Sequence, residues 1–300
     1  MASFRLYNVQ LLPLDTNRTP EVGVTGYKKL FEELERVRQA THAAKTLVES
    51  SYQLANDTYF AAYTIFPRAS FAEGKWVKYQ KAESVIDLYT NRSLFTAAEG
   101  DAPVSNTYGF RFLFDYEAHR LAVEELGGKL PSPGTLQKAI FKLLEPIAQA
   151  HFPEHTLTVN LVSQSKALEQ ALDEATGFKR VDVSLTFPNG HELTKRLREM
   201  KENNVHVVKA EASSSKGAMM PQLPEFILEL VKASTDYGRA KFTYVKDKVQ
   251  KHQVFSTEAH PEKVQLRQKK SEPEVSFMER VRRSLRSTAG LKTPADEKKK

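Results

Sequence analysis

The chain has 300 residues, of which 40% are hydrophobic, and it contains no cysteine. This length and composition support one large folded domain or two of ordinary size, and the absence of cysteine excludes disulfides, thiolate metal sites and a cysteine nucleophile. The formal net charge of +7 lies entirely in the last 38 residues, where residues 263–300 hold 12 Lys and Arg against 5 Asp and Glu, whereas residues 1–262 hold 32 of each. A clustered basic segment concentrates polyanions around it, so the charge pattern predicts nucleic acid or an acidic partner as the ligand.

The N-terminus begins Met-Ala-Ser-Phe-Arg-Leu-Tyr-Asn and lacks a basic segment followed by a continuous apolar run, which is the pattern of a secretory signal. No apolar stretch approaches the roughly 20 residues that a membrane helix requires. The sequence therefore predicts a cytoplasmic protein without membrane contact.

The first third of the chain alternates between strand and helix patterns. Aromatic and branched residues over Phe4–Leu14 predict a strand, and apolar residues at helical spacing from Tyr27 to Val37 predict an amphipathic helix. The segments Ser51–Phe66 and Gly74–Gln80 are rich in aromatic residues and predict a pair of strands.

The middle of the chain carries the clearest local signals. Alternating aromatics from Tyr108 and an apolar return to Leu126 predict a β-hairpin. Ser132 followed by Pro133 predicts a helix start, because the Ser side chain accepts from an unpaired N–H and Pro at the first helical position loses no hydrogen bond. The segment from His155 to Ala210 then predicts strand, helix, strand, helix and strand, with Gly177 expected to end the first of these helices.

The basic C-terminal segment contains one predicted helix near residues 276–290. Ser276 and Glu279 match a capping box at its start, and Gly290 matches a helix end. Between them an apolar stripe recurs every four residues while arginines occupy the other faces. The apolar stripe consists of Phe277, Val281 and Leu285, and the arginines are Arg280, Arg282, Arg283 and Arg286.

Four interpretations of this segment remain open. Arginine forks suit bidentate contact with phosphate, which predicts salt-dependent binding of DNA or RNA through the helix arginines together with Lys269 and Lys270. The apolar stripe also fits a helix that docks in a groove of a partner protein. Contact with a membrane surface and a merely solvated tail are the other two. A second basic face would extend a nucleic-acid track, and it consists of Lys195, Arg196, Arg198 and Lys201.

The sequence assigns no reaction to the chain. Phosphate-binding loops, dinucleotide-binding glycine patterns and the Gly-x-Ser-x-Gly elbow are absent. His151 and His155 have a metal-like interval, but Pro153 between them excludes a shared helix face, so neither a metal nor a cofactor is predicted. Arg36 and His42 match an Arg-x(4 to 6)-His spacing found in helical ribonucleases, and this pair is the alternative enzymatic hypothesis.

Three segments resemble an uncharacterised bacterial family whose members have about 300 residues. They are Leu6–Pro13, Tyr52–Asp57 and the hairpin residues Phe112–Asp115 with their continuation to His119. The resemblance implies a bacterial cytoplasmic protein and a link to mobile or phage-defence islands. It supplies no catalytic residues, since the shared segments are hydrophobic strand patterns.

The sequence as a whole predicts an α+β fold with mixed or antiparallel sheet layers, packed helices and a basic C-terminal arm. We expect two continuous subdomains over residues 1–105 and 106–262, followed by a largely flexible tail over residues 263–300. The predicted function is nucleic-acid binding within a bacterial, anti-phage system. The alternatives are a protein-interaction subunit that docks its tail helix and the ribonuclease hypothesis.

Overall fold

The structure is a computed structural model, and it describes residues 1–82, 84–87, 89–96, 103–187, 194–246 and 251–291. In chain order its strands and helices are β1 (Ala2–Pro13), α1 (Gly23–Ala43), β2 (Tyr52–Ala55), β3 (Thr58–Pro67), β4 (Phe71–Lys81), β5 (Ser84–Ile86), β6 (Ser93–Thr96), β7 (Val104–Asp115), β8 (Arg120–Glu125), α2 (Pro133–His151), β9 (His155–Leu161), α3 (Ser165–Glu174), β10 (Ala175–Thr186), α4 (Lys195–Glu202), β11 (Val207–Ser213), α5 (Glu225–Tyr237), β12 (Gly238–Lys246), β13 (His252–Ser256), β14 (Lys263–Leu266) and α6 (Glu274–Thr288).

The first sheet is antiparallel and is organised around β1. Its strand order is β14-β1-β8-β7-β4-β3-β2, and β9 pairs with β1 beside this path. One side of β1 pairs with β14 through residues 2–5 and with β9 through residues 7–13, while β8 lies on the other side. The sheet therefore joins strands from the beginning, the middle and the end of the chain.

Helices cover both faces of this sheet. On one face α1 and α2 enclose an aromatic core that includes Phe31, Trp76, Phe112 and Phe114. On the other face α6 packs over Phe4 and neighbouring apolar residues of β1, β7 and β8. The alternation of side chains along each strand supplies the two apolar faces that these layers require.

The second sheet has the order β11-β10-β12-β13 and is also antiparallel. Val181 and Leu185 of β10 and Phe242 of β12 face a core shared with α3, α4 and α5. The opposite face of this sheet carries charged and hydroxyl side chains, and it borders an open groove. A four-stranded sheet with helices on one face thus leaves the other face available to a ligand.

The α+β class is confirmed, and the strand and helix sequence from His155 to Ala210 is present. Ser132 caps α2 as predicted, and its side chain accepts from the N–H of Thr135. The end of α3 differs from the prediction, because the helix ends at Glu174 and Gly177 lies in β10. Gly177 sits in extended pairing with Val245, so strand pairing rather than a local glycine turn ends this helix.

The two continuous subdomains and the tail that the sequence predicts all contribute strands to the first sheet. Residue 105, the expected subdomain boundary, lies inside β7. The region predicted as a flexible tail contains β14, which pairs with β1, and α6, which packs on the sheet. The expected tail residues 292–300 lie outside the described residues.

Candidate nucleic-acid interface

The apolar stripe of α6 is buried in the protein's own core. Phe277, Val281 and Leu285 are each 0% exposed, and they pack with Phe4 and Leu113 of the first sheet. Side chains covered in this way are not available as anchors for a partner. The structure therefore corrects the docking prediction for these three residues: burial of the stripe holds the helix on β1 and β7.

Two arginines of α6 converge on one buried carboxylate. The Arg282 Nε donates to the Asp115 Oδ2 at 2.7 Å, and the Arg286 Nη1 donates to the Asp115 Oδ1 at 3.3 Å and to the Glu117 Oε2 at 2.8 Å. Asp115, which is 0% exposed, also accepts from the backbone N–H of Ala118 at 2.9 Å. We call these three side chains, Asp115, Arg282 and Arg286, the Asp115 latch.

The latch is an internal ion-pair network. Burial disfavours the charged form of Arg286, but the hydrogen bond to Glu117 and the charge of Asp115 outweigh it, so the pKa of Arg286 is raised. Arg282 also lies over the ring of Phe71, with its guanidinium carbon 4.6 Å from the ring centroid. The structure thus corrects the assignment of Arg282 and Arg286 to phosphate binding, because carboxylates of this chain occupy both guanidinium groups.

The other cations of the C-terminal segment divide into two groups. The Arg280 Nη1 is 2.9 Å from both carboxylate oxygens of Glu272. Lys269, Lys270 and Arg283 are exposed, and within the described part of the chain their side chains form no hydrogen bond or ion pair. These three remain available to an anionic ligand.

The basic face of α4 is partly neutralised by acidic neighbours. Arg196 lies 3.9 Å from both Glu225 and Glu229, and its guanidinium packs over the ring of Phe226. Lys201 lies 3.9 Å from a carboxylate oxygen of Glu21. Loss of hydration on burial is the main cause that lowers the pKa of Lys201.

The two basic helices also sit in different parts of the fold. Leu197 places α4 in the core of the second sheet, whereas Phe277 places α6 on the first sheet. Lys195 is exposed without a partner among the described residues, and Arg198 makes further contacts of its own. The helices belong to separate layers, so each requires its own test as a binding surface.

The ribonuclease pair is not brought together by its helix. Arg36 and His42 lie six residues apart on α1, whereas side chains meet on a helix when they are three or four residues apart. The Arg36 Nε donates to the Glu33 Oε2 at 2.6 Å, and His42 is exposed in the last turn. The geometry therefore does not support a joint action of these two residues on a phosphodiester.

Glu33 instead joins Arg36 to His151 beside a cleft between α1 and α2. The His151 Nε2 lies 3.4 Å from the carboxylate oxygen that Arg36 contacts, and the cleft has a volume of about 390 Å³. The hydrogen bond from Arg36 is the main cause that lowers the pKa of Glu33. His155 is separate from His151, since its Nε2 contacts the Pro20 carbonyl at 3.0 Å, and the described residues contain no cluster of three potential metal ligands.

The open face of the second sheet carries the polar side chains of β10. Arg180, Asp182 and Ser184 alternate with the buried residues of this strand, as a half-buried strand requires. The Arg180 guanidinium is held by both Asp182 oxygens at 2.9 Å and by the Glu211 Oε1 at 3.2 Å. One arginine therefore spans two carboxylates on neighbouring strands.

Three further cations stand on the strands that flank β10. Ser184 faces Lys209 on β11 and Arg239 on β12, and Asp182 faces Lys241 on β12. Directly opposite residues on paired strands have Cβ atoms about 5 Å apart. Lys209, Arg239 and Lys241 are exposed, and among the described residues none of their side chains has a hydrogen-bond or ion-pair partner.

These side chains line a groove that continues toward α2. The part over the sheet has a volume of about 490 Å³, and the adjoining part of about 240 Å³ reaches Gln137 and Lys138 of α2. Both parts share Ser184, Arg239 and Glu258, so they form one groove. We call it the sheet groove.

The described lining of the sheet groove is polar and has more cations than carboxylates. The cations are Lys138, Arg180, Lys209, Arg239 and Lys241, and the carboxylates are Asp182, Glu211 and Glu258. Five cations against three carboxylates give the described lining a net charge of +2, and Arg180 lies between two of the carboxylates, Asp182 and Glu211. This arrangement suits an extended polyanion.

The sequence interpretation did not single out these cations, although a signal for them is present. From Arg239 to Tyr244 the chain reads Arg-Ala-Lys-Phe-Thr-Tyr, and the second, fourth and sixth residues are buried. Such alternation predicts that Arg239 and Lys241 share the other face of the strand. The placement of Lys209 and Lys138 beside them depends on pairing between distant segments.

Comparisons with known proteins give a family without an assigned activity. None of the helices in the described residues has the length and apolar character needed to span a membrane. No curated protein matches the chain. A family model described as a domain of unknown function (DUF4747) matches residues 5–282, and this chain belongs to that family.

Proposed function

We propose that this protein binds nucleic acid and that the phosphate backbone lies in the sheet groove. The observation that carries the proposal is the set of unpaired cations along one groove, which are Lys209 on the edge strand together with Lys138, Arg239 and Lys241. A cation that has no carboxylate partner keeps its full attraction for phosphate, and it releases counterions from the nucleic acid when it binds. The arginines of the Asp115 latch lack this property.

The lining of the groove also indicates how the ligand would be recognised. Among the described lining residues there are hydroxyl groups such as Ser184, Thr186 and Ser256 but no aromatic ring. Hydroxyl and cationic side chains donate to phosphate oxygens, whereas stacking of bases relies mainly on aromatic rings. The proposed binding is therefore directed at the backbone and is independent of base sequence.

The unpaired cations of the C-terminal segment form the second part of the proposal. Lys269, Lys270 and Arg283 are exposed on the α6 side of the first sheet, so they represent the contribution of the predicted basic arm. Being three in number, they are a matched control for the groove cations Lys138, Arg239 and Lys241. Each set of three alanine substitutions removes three positive charges.

The test is a salt titration of binding to a short duplex and to a single strand of DNA and RNA. The groove variant carries Lys138→Ala, Arg239→Ala and Lys241→Ala, and the arm variant carries Lys269→Ala, Lys270→Ala and Arg283→Ala. Each lost phosphate contact lowers the slope of log K against log salt by about 0.9 on duplex and about 0.7 on single strands. We expect the groove variant to lose about 2 to 3 in slope and to bind at least about tenfold more weakly.

The arm variant is expected to retain most of the slope. A groove variant that binds like the wild type would contradict the proposed interface. If only the arm variant lost binding, the binding site would be the C-terminal segment and not the sheet groove. If the wild type did not bind in low salt, nucleic-acid binding itself would be refuted.

We also propose that this activity serves a bacterial system against phage. The support is the resemblance of Leu6–Pro13 and Tyr52–Asp57 to an uncharacterised bacterial family. Phage plating on cells with and without the gene provides the test. Equal plating efficiency for every phage in a broad panel would contradict the proposal.

A further inference from the structure

The strand β11 forms an open edge of the second sheet. It pairs with β10 alone, over all seven of its residues and without a register shift. Within the described chain, the backbone groups on its outer side have no hydrogen-bond partner. An open edge of this length is a template for another strand unless proline, a bulge or a covering segment blocks it.

The charges on β11 are arranged symmetrically about Ala210. Lys209 and Glu211 flank this residue on the open face, and both are exposed. Lys209 has no partner in the described structure, while the side chain of Glu211 is 55% exposed, contacts Arg180 at 3.2 Å and accepts from the Ser213 hydroxyl at 3.5 Å through the same oxygen, Oε1. A strand with a cation and an anion at these two positions complements a reversed copy of itself.

We infer that two copies of this chain associate through β11, antiparallel and centred on Ala210. A two-fold axis perpendicular to the sheet makes such a contact, in which the same strand serves both copies. Lys209 of each copy then lies opposite Glu211 of the other. The two four-stranded sheets become one continuous sheet, and the paired segment is about 23 Å long at the usual rise of a strand.

The charge pattern selects this register over its neighbours. If the pairing is centred on residue 209 instead, Lys209 lies opposite Lys209 of the other copy. If it is centred on residue 211, Glu211 lies opposite Glu211. Like charges directly opposite each other destabilise a strand pair. A shift by one residue places residues whose side chains lie on opposite faces of the sheet directly across from each other. The polar face of one copy then no longer continues the polar face of the other.

The two-fold arrangement also places both sheet grooves on the same side of the continuous sheet. Arg239 and Lys241 lie on β12, with β10 between them and the new contact, so association leaves them exposed. The inference consequently stands without the proposed function. A monomeric protein that binds nucleic acid would overturn the association alone.

The test is analytical ultracentrifugation of the full chain over a concentration series, with four charge variants. Lys209→Glu places glutamates opposite each other, and Glu211→Lys places lysines opposite each other, so each single variant is expected to weaken association at least about tenfold. The double variant, with Lys209→Glu and Glu211→Lys, restores both opposite-charge pairs and is expected to associate like the wild type. Lys241→Glu reverses a charge on the same face away from the edge and serves as the matched control.

Near-ultraviolet circular dichroism on each variant verifies that the fold is retained. A wild type that stays monomeric at all concentrations would overturn the inference and leave the edge for a strand of another protein. Single variants that associate normally, or a double variant no better than the single ones, would equally overturn the proposed register.

Discussion

Removal of the Asp115 carboxylate is expected to destabilise the fold by about 3 kcal/mol. Asp115 is fully buried and accepts from Arg282, Arg286 and two backbone N–H groups, those of Glu117 and Ala118. Loss of one partner of a buried ion pair costs about 3–5 kcal/mol, because the remaining charge stays without water and without compensation.

The lower end of that range follows from the contacts that remain in Asp115→Ala. Arg286 keeps the Glu117 Oε2 at 2.8 Å, and Arg282 keeps the Ser70 Oγ at 2.9 Å. Asp115→Asn keeps an oxygen acceptor for the backbone but loses the negative charge and turns an amide donor toward Arg282, so we expect a loss close to that of Asp115→Ala.

Urea titration followed by far-ultraviolet circular dichroism measures both variants. The substitution changes native contacts but not the surface that unfolding exposes. We therefore expect a lower urea concentration at the midpoint and an unchanged slope of the free energy of unfolding against urea concentration. Arg283→Ala, an exposed position on the same helix, is the control and is expected to change the free energy of unfolding by less than about 0.5 kcal/mol. A loss below about 1 kcal/mol in Asp115→Ala would refute the structural role of the latch.

Three further changes test the packing and the half-buried His119. Phe277→Ala, at a position that is 0% exposed, should lower the free energy of unfolding in urea by about 3–5 kcal/mol; a loss below about 1 kcal/mol would contradict the docking of α6. Gly74→Ala brings a Cβ atom to 2.0 Å from the Thr64 carbonyl oxygen, so we expect a lower melting temperature. An unchanged melting temperature would show that β3 and β4 move apart at this point without cost. Burial is the main cause that lowers the pKa of His119 to about 4, below the value of about 6.5 in an unfolded chain. Between these values the unfolded chain binds the extra proton, so the free energy of unfolding should fall by up to about 3 kcal/mol as the pH drops from 7 to 4. His119→Asn tolerates the positive φ of 53° and should remove most of that fall; an equal pH dependence in both proteins would disprove the assignment.

Local patterns in the sequence predicted several elements because their signals lie within a few residues. Ser132 and Pro133 mark the start of α2, and the alternating aromatics of β7 mark a strand with two buried faces. The capping-box pattern predicts the start of α6 at Ser276, whereas the helix begins at Glu274 after Pro273. A capping box contributes only about 1 kcal/mol, so burial of the apolar stripe is enough to shift a helix start by one or two residues.

The cationic clusters show where local reasoning fails. A run of arginines has the same sequence pattern whether its partners are phosphates of a ligand or carboxylates of the same chain. Asp115, which pairs with two of them, lies 167 residues before Arg282. In contrast, the cations of the sheet groove are scattered over α2, β11 and β12 and form no cluster in the sequence.

The amino-acid sequence by itself determined the α+β class, the amphipathic character of α6 and the excess of positive charge near the C-terminus. Periodicity and composition are local or summed properties, so no contact is needed to read them. Only the tertiary structure decided which charges remain unpaired, because ion pairing depends on atoms within about 4 Å that come from distant segments. The fold turned Arg282 and Arg286 into internal partners of Asp115 and left Arg239 and Lys241 exposed on an open sheet.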